Sequence, residues 1–465
     1  MRVKTISRSI ASTERECKGD LRREFRNLAP EAHPMQRARE YTRAVTSAKL
    51  DRMFAKPFVG SLGTGHRDGV TATATSRQAL VPFVSGAADG EIRIWDLASR
   101  SCLANLEGSH SKRVTGLTFA NDGTTFYSSS IDGTIKSWQV YPSSNYNNEE
   151  NEEEQMATKH GPSMTYRAPN AGSFQSIDHH RSDNLFVSAS DSAVDVWSPE
   201  RNTPILSFDD LWGSDDTVNH VRYNPAERGL IAHTSADRGL GLFDVRSQSA
   251  LHKIILSMRA NALEWNPMEP MNLAVASEDY NAYTFDMRKL DRPTMIYKGH
   301  ASAVMAISWS PTGREFATAS YDKTIRIFPH RAGKARDIYH LKRMQRVFTV
   351  NYSADNNYII SGSDDTNLRL WRAQASQAVG KQTTAREERA LQYRQTLIQK
   401  YKHMPDVKRI HTARKVPKFI KSQTALQTVQ KASRQRKKEN EFKNSRPGTV
   451  SFPVERNNTV VKKVD

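Results

Sequence analysis

His110, Ser130, Asp132 and Trp138 follow one another closely, and His300, Ser320 and Asp322 repeat the first three at the same spacing, with Phe328 in place of the Trp. A histidine set between a hydroxyl and a carboxylate is the arrangement that activates a nucleophile for acyl transfer. Recurrence argues against that chemistry here. A catalytic set has no reason to repeat along a chain, whereas a satisfied polar chain that stiffens a repeated unit does. Two units depart from it: Ala87 stands where the first unit would have its Ser, and the fifth lacks the preceding His. Those two are expected to be held by packing more than by polar links. The sequence carries no Gly-rich phosphate cradle and no metal-ligand cluster, so no catalysis, cofactor or metal is expected.

The repeat itself is a run of small residues, an acidic turn and an alternating strand that ends in an aromatic. It reads SGAADGEIRIWD to Asp96, SSSIDGTIKSW to Trp138, SASDSAVDVW to Trp197, TSADRGLGLFD to Asp244, ASEDYNAYTFD to Asp286, TASYDKTIRIF to Phe328 and SGSDDTNLRLW to Trp371. Successive terminal aromatics, from Trp95 to Trp371, lie 43, 59, 46, 42, 43 and 43 residues apart. Period-two alternation in these segments predicts strands. Four short strands in about 40–45 residues is the length of one WD propeller blade. A single unit cannot bury both faces of its sheet, but radial stacking can. The fold class is therefore all-β: a seven-bladed WD-repeat β-propeller with helical or extended basic N- and C-terminal extensions. An open ring would leave an unpaired edge, so Arg52–Gly60 is expected to supply the outermost strand of the last blade.

The one long interval locates an insertion. Glu149, Glu150, Glu152, Glu153 and Glu154 crowd a segment that can bury nothing, and a disordered loop is expected over about 141–165. The expected organisation is residues 1–51 as a basic extension, 52–372 as the propeller and 373–465 as a basic tail. Charge follows this division. Residues 372–465 hold 23 Lys or Arg against 7 Asp or Glu, and residues 1–50 hold 12 against 6, while the middle holds 33 against 37. A polycationic tail on a near-neutral body points to a polyanionic partner, because phosphate neutralisation dominates nucleic-acid affinity. The same charge run also fits an import signal or a solvated face. No stretch has the apolar length of a membrane span or a signal peptide. Cys17 and Cys102 offer no disulfide framework, which fits a reducing, intracellular compartment.

Within the extensions, residues 30–50 read as a helix with Ala38, Tyr41, Val45 and Ala48 on one side, and residues 384–403 as a second with Ala390, Tyr393, Leu397, Ile398 and Tyr401, stopped by Pro405. Either helix could pack on the propeller or dock on another protein. Beyond Pro405, Lys408, Arg409, Arg414, Lys415, Lys418, Lys421, Arg434, Arg436, Lys437, Lys438, Lys443 and Arg446 form the candidate RNA- or partner-binding set. With so little apolar face, this segment is expected to gain structure only on a partner that neutralises it.

RMFAKPFVGSL–GHRDGV, SPTGREFATASYDKTIRIF and, most specifically, YKHMPDVKRI…PKFIKSQ…SRQRKKEN…SRPGTV resemble the SOF-domain WD-repeat proteins over essentially the whole chain outside the acidic insert. The resemblance implies a non-catalytic nucleolar component of the small-subunit processome, associated with pre-ribosomal RNA, a small nucleolar RNP and other processome proteins, with no membrane and no homo-oligomer expected. Some members are substrate receptors of cullin–RING ubiquitin ligases through a W-D-x-R motif. Phe243-Asp244-Val245-Arg246 and Phe285-Asp286-Met287-Arg288 match it except for the Trp, which makes Arg246 and Arg288 candidate adaptor contacts. A plain strand-end Asp–Arg pair, common in propellers, is the favoured account of both.

Overall fold

Every repeat folds as an antiparallel four-stranded sheet whose first strand lies innermost. The computed structural model describes residues 35–141, 161–168, 172–191, 193–208, 217–376, 384–450, 452 and 454–464; the acidic run Glu149–Glu154 and Cys17 lie outside them. Strands β2–β5 (Val70–Leu106) form blade one and β6–β9 (Val114–Tyr166) blade two. Blade three is β10–β13 (Phe174–Phe208), blade four β14–β17 (Val218–Leu256) and blade five β18–β21 (Ala260–Tyr297). Blade six is β22–β25 (Val304–Tyr339), and blade seven joins β26–β28 (Val347–Arg372) to β1 (Phe58–Ser61). Met164–Tyr166, placed by the sequence reading inside the insert, is the outer strand of blade two, with Tyr166 buried against Trp197. An aromatic with a core to fill ends the loop earlier than charge alone suggests.

Ring closure follows the expected logic with a shifted boundary. Phe58, Gly60 and Ser61 pair antiparallel with Trp371, Leu370 and Arg369, so the N-terminal side of the chain completes the last blade. Arg52 and Met53, expected in that strand, are instead the last residues of a helix. Across the joint, a Cβ on Gly362 would meet Val70 Cγ1 at 2.6 Å, so the absent side chain is what lets blades seven and one approach. The core lies between blades. Trp95, Trp197 and Trp371 are fully buried, and the strand-end aromatics Trp95, Phe243 and Trp371 pack against Val, Ile, Leu and Ala of the preceding blade. Burial of this kind contributes about 25 cal/mol per Å² of apolar surface.

The chain resolves into two compact units, one of residues 54–381 with 412–465 and one of 1–53 with 382–411. In the smaller unit the two predicted helices, α1 (Gln36–Met53) and α2 (Ala385–Lys400), pack on each other. Ala44 and Ala48 meet Leu397, Ile398 and Val407, while Ala390 and Tyr393 of the predicted stripe stay exposed. Thr384 and Glu387 form a reciprocal capping box at the start of α2. Polar clamps tie the unit together: Tyr401 Oη donates to Glu40 at 2.8 Å, Tyr41 Oη to Asp406 at 2.9 Å, and Arg52 to the His411 carbonyl at 2.6 Å. Pro405, expected as a stop, is the first residue of α3 (Pro405–Thr412), a position where its missing N–H costs nothing.

Candidate nucleic-acid and adaptor interfaces

The polar chain predicted from His, Ser and Asp exists, with a different hydroxyl. In blade two Trp138 Nε1 donates to Ser128 Oγ at 2.9 Å, His110 Nε2 lies 2.7 Å from the same oxygen, and His110 Nδ1 lies 2.9 Å from Asp132. The chain closes when neutral His110 donates from Nδ1 to the carboxylate and accepts the Ser128 hydroxyl at Nε2. Ser130 is not in it; its Oγ bonds the Arg113 carbonyl at 2.9 Å and accepts from the Asp132 amide. Blade six repeats the pattern with Thr318, not Ser320: His300 Nε2 is 2.7 Å from Thr318 Oγ1 and His300 Nδ1 is 2.9 Å from Asp322. Ser128 and Ser130 share one face of a strand, and only the one deeper in the sheet can reach the indole.

Blade one also corrects the expectation. Ala87 is not the relevant position: Ser85 accepts from Trp95 Nε1 at 2.7 Å and meets His66 at 2.6 Å, and Glu91 stands in for the turn Asp at 3.0 Å. Blades three and seven keep the Trp–Ser link through Trp197–Ser188 and Trp371–Ser361, both at 2.9 Å. Blade five replaces it with apolar packing of Val275 and Phe285. Burial lowers the pKa of His66, His110 and His300 against the pull of their carboxylates, leaving all three neutral at neutral pH. These groups are sealed inside blades, so they hold strands and reach no substrate.

The tail is where the structure and charge reading part company. Rather than a featureless arm, it attaches to the propeller at several points. Arg414 is 3.7 Å from Asp337 and only 13% exposed, and His340 Nε2 meets the Lys415 carbonyl at 3.1 Å, both at the outer strand of blade six. Helix α4 (Lys418–Asn444) then begins with Ile420 buried and Gln427 donating to the Ala301 carbonyl at 3.0 Å. Phe442 packs edge-on against Phe452, Glu455 pairs with Lys298, and β29 (Val460–Val464) adds a fifth strand to blade four alongside Lys253–Leu256. Ile420 and Val460 are apolar anchors that cation counting overlooks, while Phe442 ties the helix to Phe452 of the tail itself.

These anchors sort the predicted tail residues. Arg414 is neutralised by the propeller. Lys408 and Arg409 lie exposed on α3, in the smaller unit, with Arg409 3.7 Å from Asp406. Lys415, Lys418 and Lys421 flank the start of α4, a helix with no side-chain cap and cations at its positive end, which opposes the helix dipole. Arg434, Arg436, Lys437, Lys438, Lys443 and Arg446, with Lys431, are exposed and make no side-chain hydrogen bond or salt bridge among the described residues. The helix spans about 40 Å at 1.5 Å per residue, and its second half presents cations on all sides.

Arg246 and Arg288 follow the third strands of blades four and five, and both are exposed. Arg288 grips Asp286 in a fork, Nε to Oδ1 at 3.1 Å and Nη2 to Oδ2 at 3.0 Å. The Asp244 carboxylate instead accepts the Arg246 backbone amide at 2.9 Å and the Ser247 hydroxyl at 3.0 Å.

Residues 373–460 match the Sof1-like domain family, and segments 58–96, 100–139, 291–328 and 338–372 match the WD domain, G-beta repeat family. A protein of Danio rerio called DDB1- and CUL4-associated factor 13 is 42% identical over 465 residues, covering 100% of both chains. The chain belongs to the Sof1 family of WD-repeat proteins. Other members of the Sof1 family include Protein SOF1 of Saccharomyces cerevisiae, 40% identical over 95% of this chain and 91% of the yeast protein. The Homo sapiens DDB1- and CUL4-associated factor 13 is 42% identical over 99% of each. The Sof1-like match takes in α2, α3, α4 and the start of β29, so the family-specific part of this protein is the segment that returns to the propeller.

Proposed function

We propose that this protein is a non-catalytic scaffold of nucleolar small-subunit ribosome assembly, in which the propeller holds position among processome proteins and the tail contacts pre-ribosomal RNA and its small nucleolar RNP. The observation that carries this reading is the set of unneutralised cations from Lys431 to Lys443 on α4, with Arg446 just past its end, on a helix whose first half is tied to the ring through Gln427. Each phosphate neutralised releases condensed counterions, so such a helix binds RNA with steep salt dependence. The test is a salt series of binding to a pre-ribosomal RNA fragment by the full chain and by a variant with Lys431, Arg434, Arg436, Lys437, Lys438 and Lys443 changed to Ala. The slope of log affinity against log salt is expected to fall by about 4–5, at about 0.7–0.9 per lost contact. An unchanged slope removes the tail from RNA contact.

A second reading, a substrate receptor of a cullin–RING ligase, draws on the names of the relatives and on the exposure of Arg246 and Arg288 at matching places in neighbouring blades. Changing both to Ala would abolish capture of the ligase adaptor and leave RNA affinity unchanged. Full adaptor capture by the double variant would dismiss those arginines.

A further inference from the structure

A cavity of about 500 Å³ lies on the propeller axis, walled by the C-terminal ends of the inner strands of all seven blades. Its charged lining is ordered by depth. At the wall, Arg222 Nη1 sits 3.2 Å from Asp178 Oδ1, while Asp178 Oδ2 accepts the Tyr223 amide at 2.9 Å. Glu264 Oε2 accepts the Trp309 amide at 2.5 Å. Arg77 and Arg181, in the turns that follow β2 (Val70–Thr75) and β10 (Phe174–His179), also line the cavity. Neither has a hydrogen-bond or salt-bridge partner among the described residues. Both arginines stand exposed at this end of the ring.

We propose that this axial cavity is a binding site for a compact, multiply charged phosphate-bearing anion. Two unpaired guanidinium groups at the mouth, with Arg222 neutralised by Asp178 at the wall, leave a net cationic chamber of small-molecule size. A phosphate offers several acceptor oxygens to donors that converge from different blades, whereas a planar carboxylate engages fewer of them. Burial pushes Glu264 up to about 8, with Arg222 and Arg77 opposing and Asp178 reinforcing the shift, so at neutral pH it presents a neutral, donating carboxyl to the chamber. His179 and His180, beside it, are kept neutral by burial.

The anion should therefore bind best below pH 8 and lose affinity as Glu264 ionises. The test is calorimetric titration of inorganic pyrophosphate into the full chain carrying the six tail substitutions described above, so that failure of the RNA reading does not bear on it. One saturable site per chain is expected, at least ten-fold weaker in R77A/R181A. Pyrophosphate itself gains charge between pH 7 and 9, so the readout is the ratio of parent to E264Q affinity, which should fall across that range as Glu264 ionises, with the fold of E264Q checked by its thermal midpoint. Citrate should bind at least ten-fold more weakly than pyrophosphate. No saturable site, unchanged affinity in R77A/R181A, or citrate equal to pyrophosphate would each overturn the proposal.

Discussion

The Ser128 hydroxyl is the shared node of Trp138 and His110, accepting the indole N–H at 2.9 Å and facing the imidazole Nε2 at 2.7 Å, with all three side chains buried. Removing one oxygen therefore strands two buried partners. Ser128→Ala is expected to cost about 1–3 kcal/mol, the penalty for leaving buried polar groups unsatisfied. Ser130→Ala, which loses bonds to backbone carbonyls at the strand end, is expected to cost less, about 1 kcal/mol. Denaturant midpoints of the two variants decide the order, and equal or reversed losses would return Ser130 to the chain.

Stability should fall as the medium is acidified, starting with the histidines. His66, His110 and His300 have folded pKa values lowered by burial, and His233, buried and near Lys253, is lowered to about 4. For each, the unfolded state binds the proton more readily. The stabilisation is present above the ordinary histidine value of about 6.5 and is lost as pH falls through the lowered folded values. Asp132 and Asp322 are held below the usual carboxylate range despite their burial, Asp132 by Thr134 and His110 and Asp322 by His300 and Arg326, and add a second loss below about pH 4. Thermal midpoints measured from pH 7.5 to 4 should decline across that range, and His110→Gln should flatten the upper part of the curve.

Closure of the ring rests on very few residues. Leu62, immediately after β1, is fully buried among Phe83, Trp95, Leu368 and Leu370, bridging blades seven and one. Leu62→Ala should cost about 2–5 kcal/mol, the range for a truncated core leucine. Because the same residue fastens the closing strand, amide exchange in Leu368–Arg372 should rise more than in the third strands of other blades. A uniform rise would mean that the seam is no weaker than the rest.

Blade count, the strand-end aromatics and the closing strand were legible because each has a local signature: period-two alternation, a fixed interval, or an orphan strand before the first repeat. The hydroxyl of the polar chain was misplaced because Ser128 and Ser130 alternate onto the same face. Depth in the sheet, which sequence does not display, decides between them. A constant offset would have found it, since Ser85, Ser128 and Ser361 each lie ten residues before their Trp and Ser188 nine. The axial cavity was invisible for a different reason. Arg77, Arg181, Arg222 and Glu264 come from four blades, and only the ring brings them together.

The tail anchors were missed because single apolar residues are diluted among cations, and β29 shows this most plainly. Val460–Val464 pairs with Lys253–Leu256, the Thr459 carbonyl accepts the Ser257 amide at 2.9 Å, and Thr459 itself is buried. This strand covers the edge that blade four would otherwise expose. Truncation after Asn458 should therefore free the outward-facing amides of Lys253–Leu256 to exchange at least ten-fold faster, while Met295–Tyr297 of blade five, which has no fifth strand, stays unchanged. It should also loosen the C-terminal end of α4 and lower RNA affinity by more than the loss of Lys462 and Lys463 accounts for, the full-length K462A/K463A variant setting that baseline. Hydrogen exchange with mass readout on both chains separates these effects. If protection of blade four survives the truncation, β29 does not hold the helix to the ring.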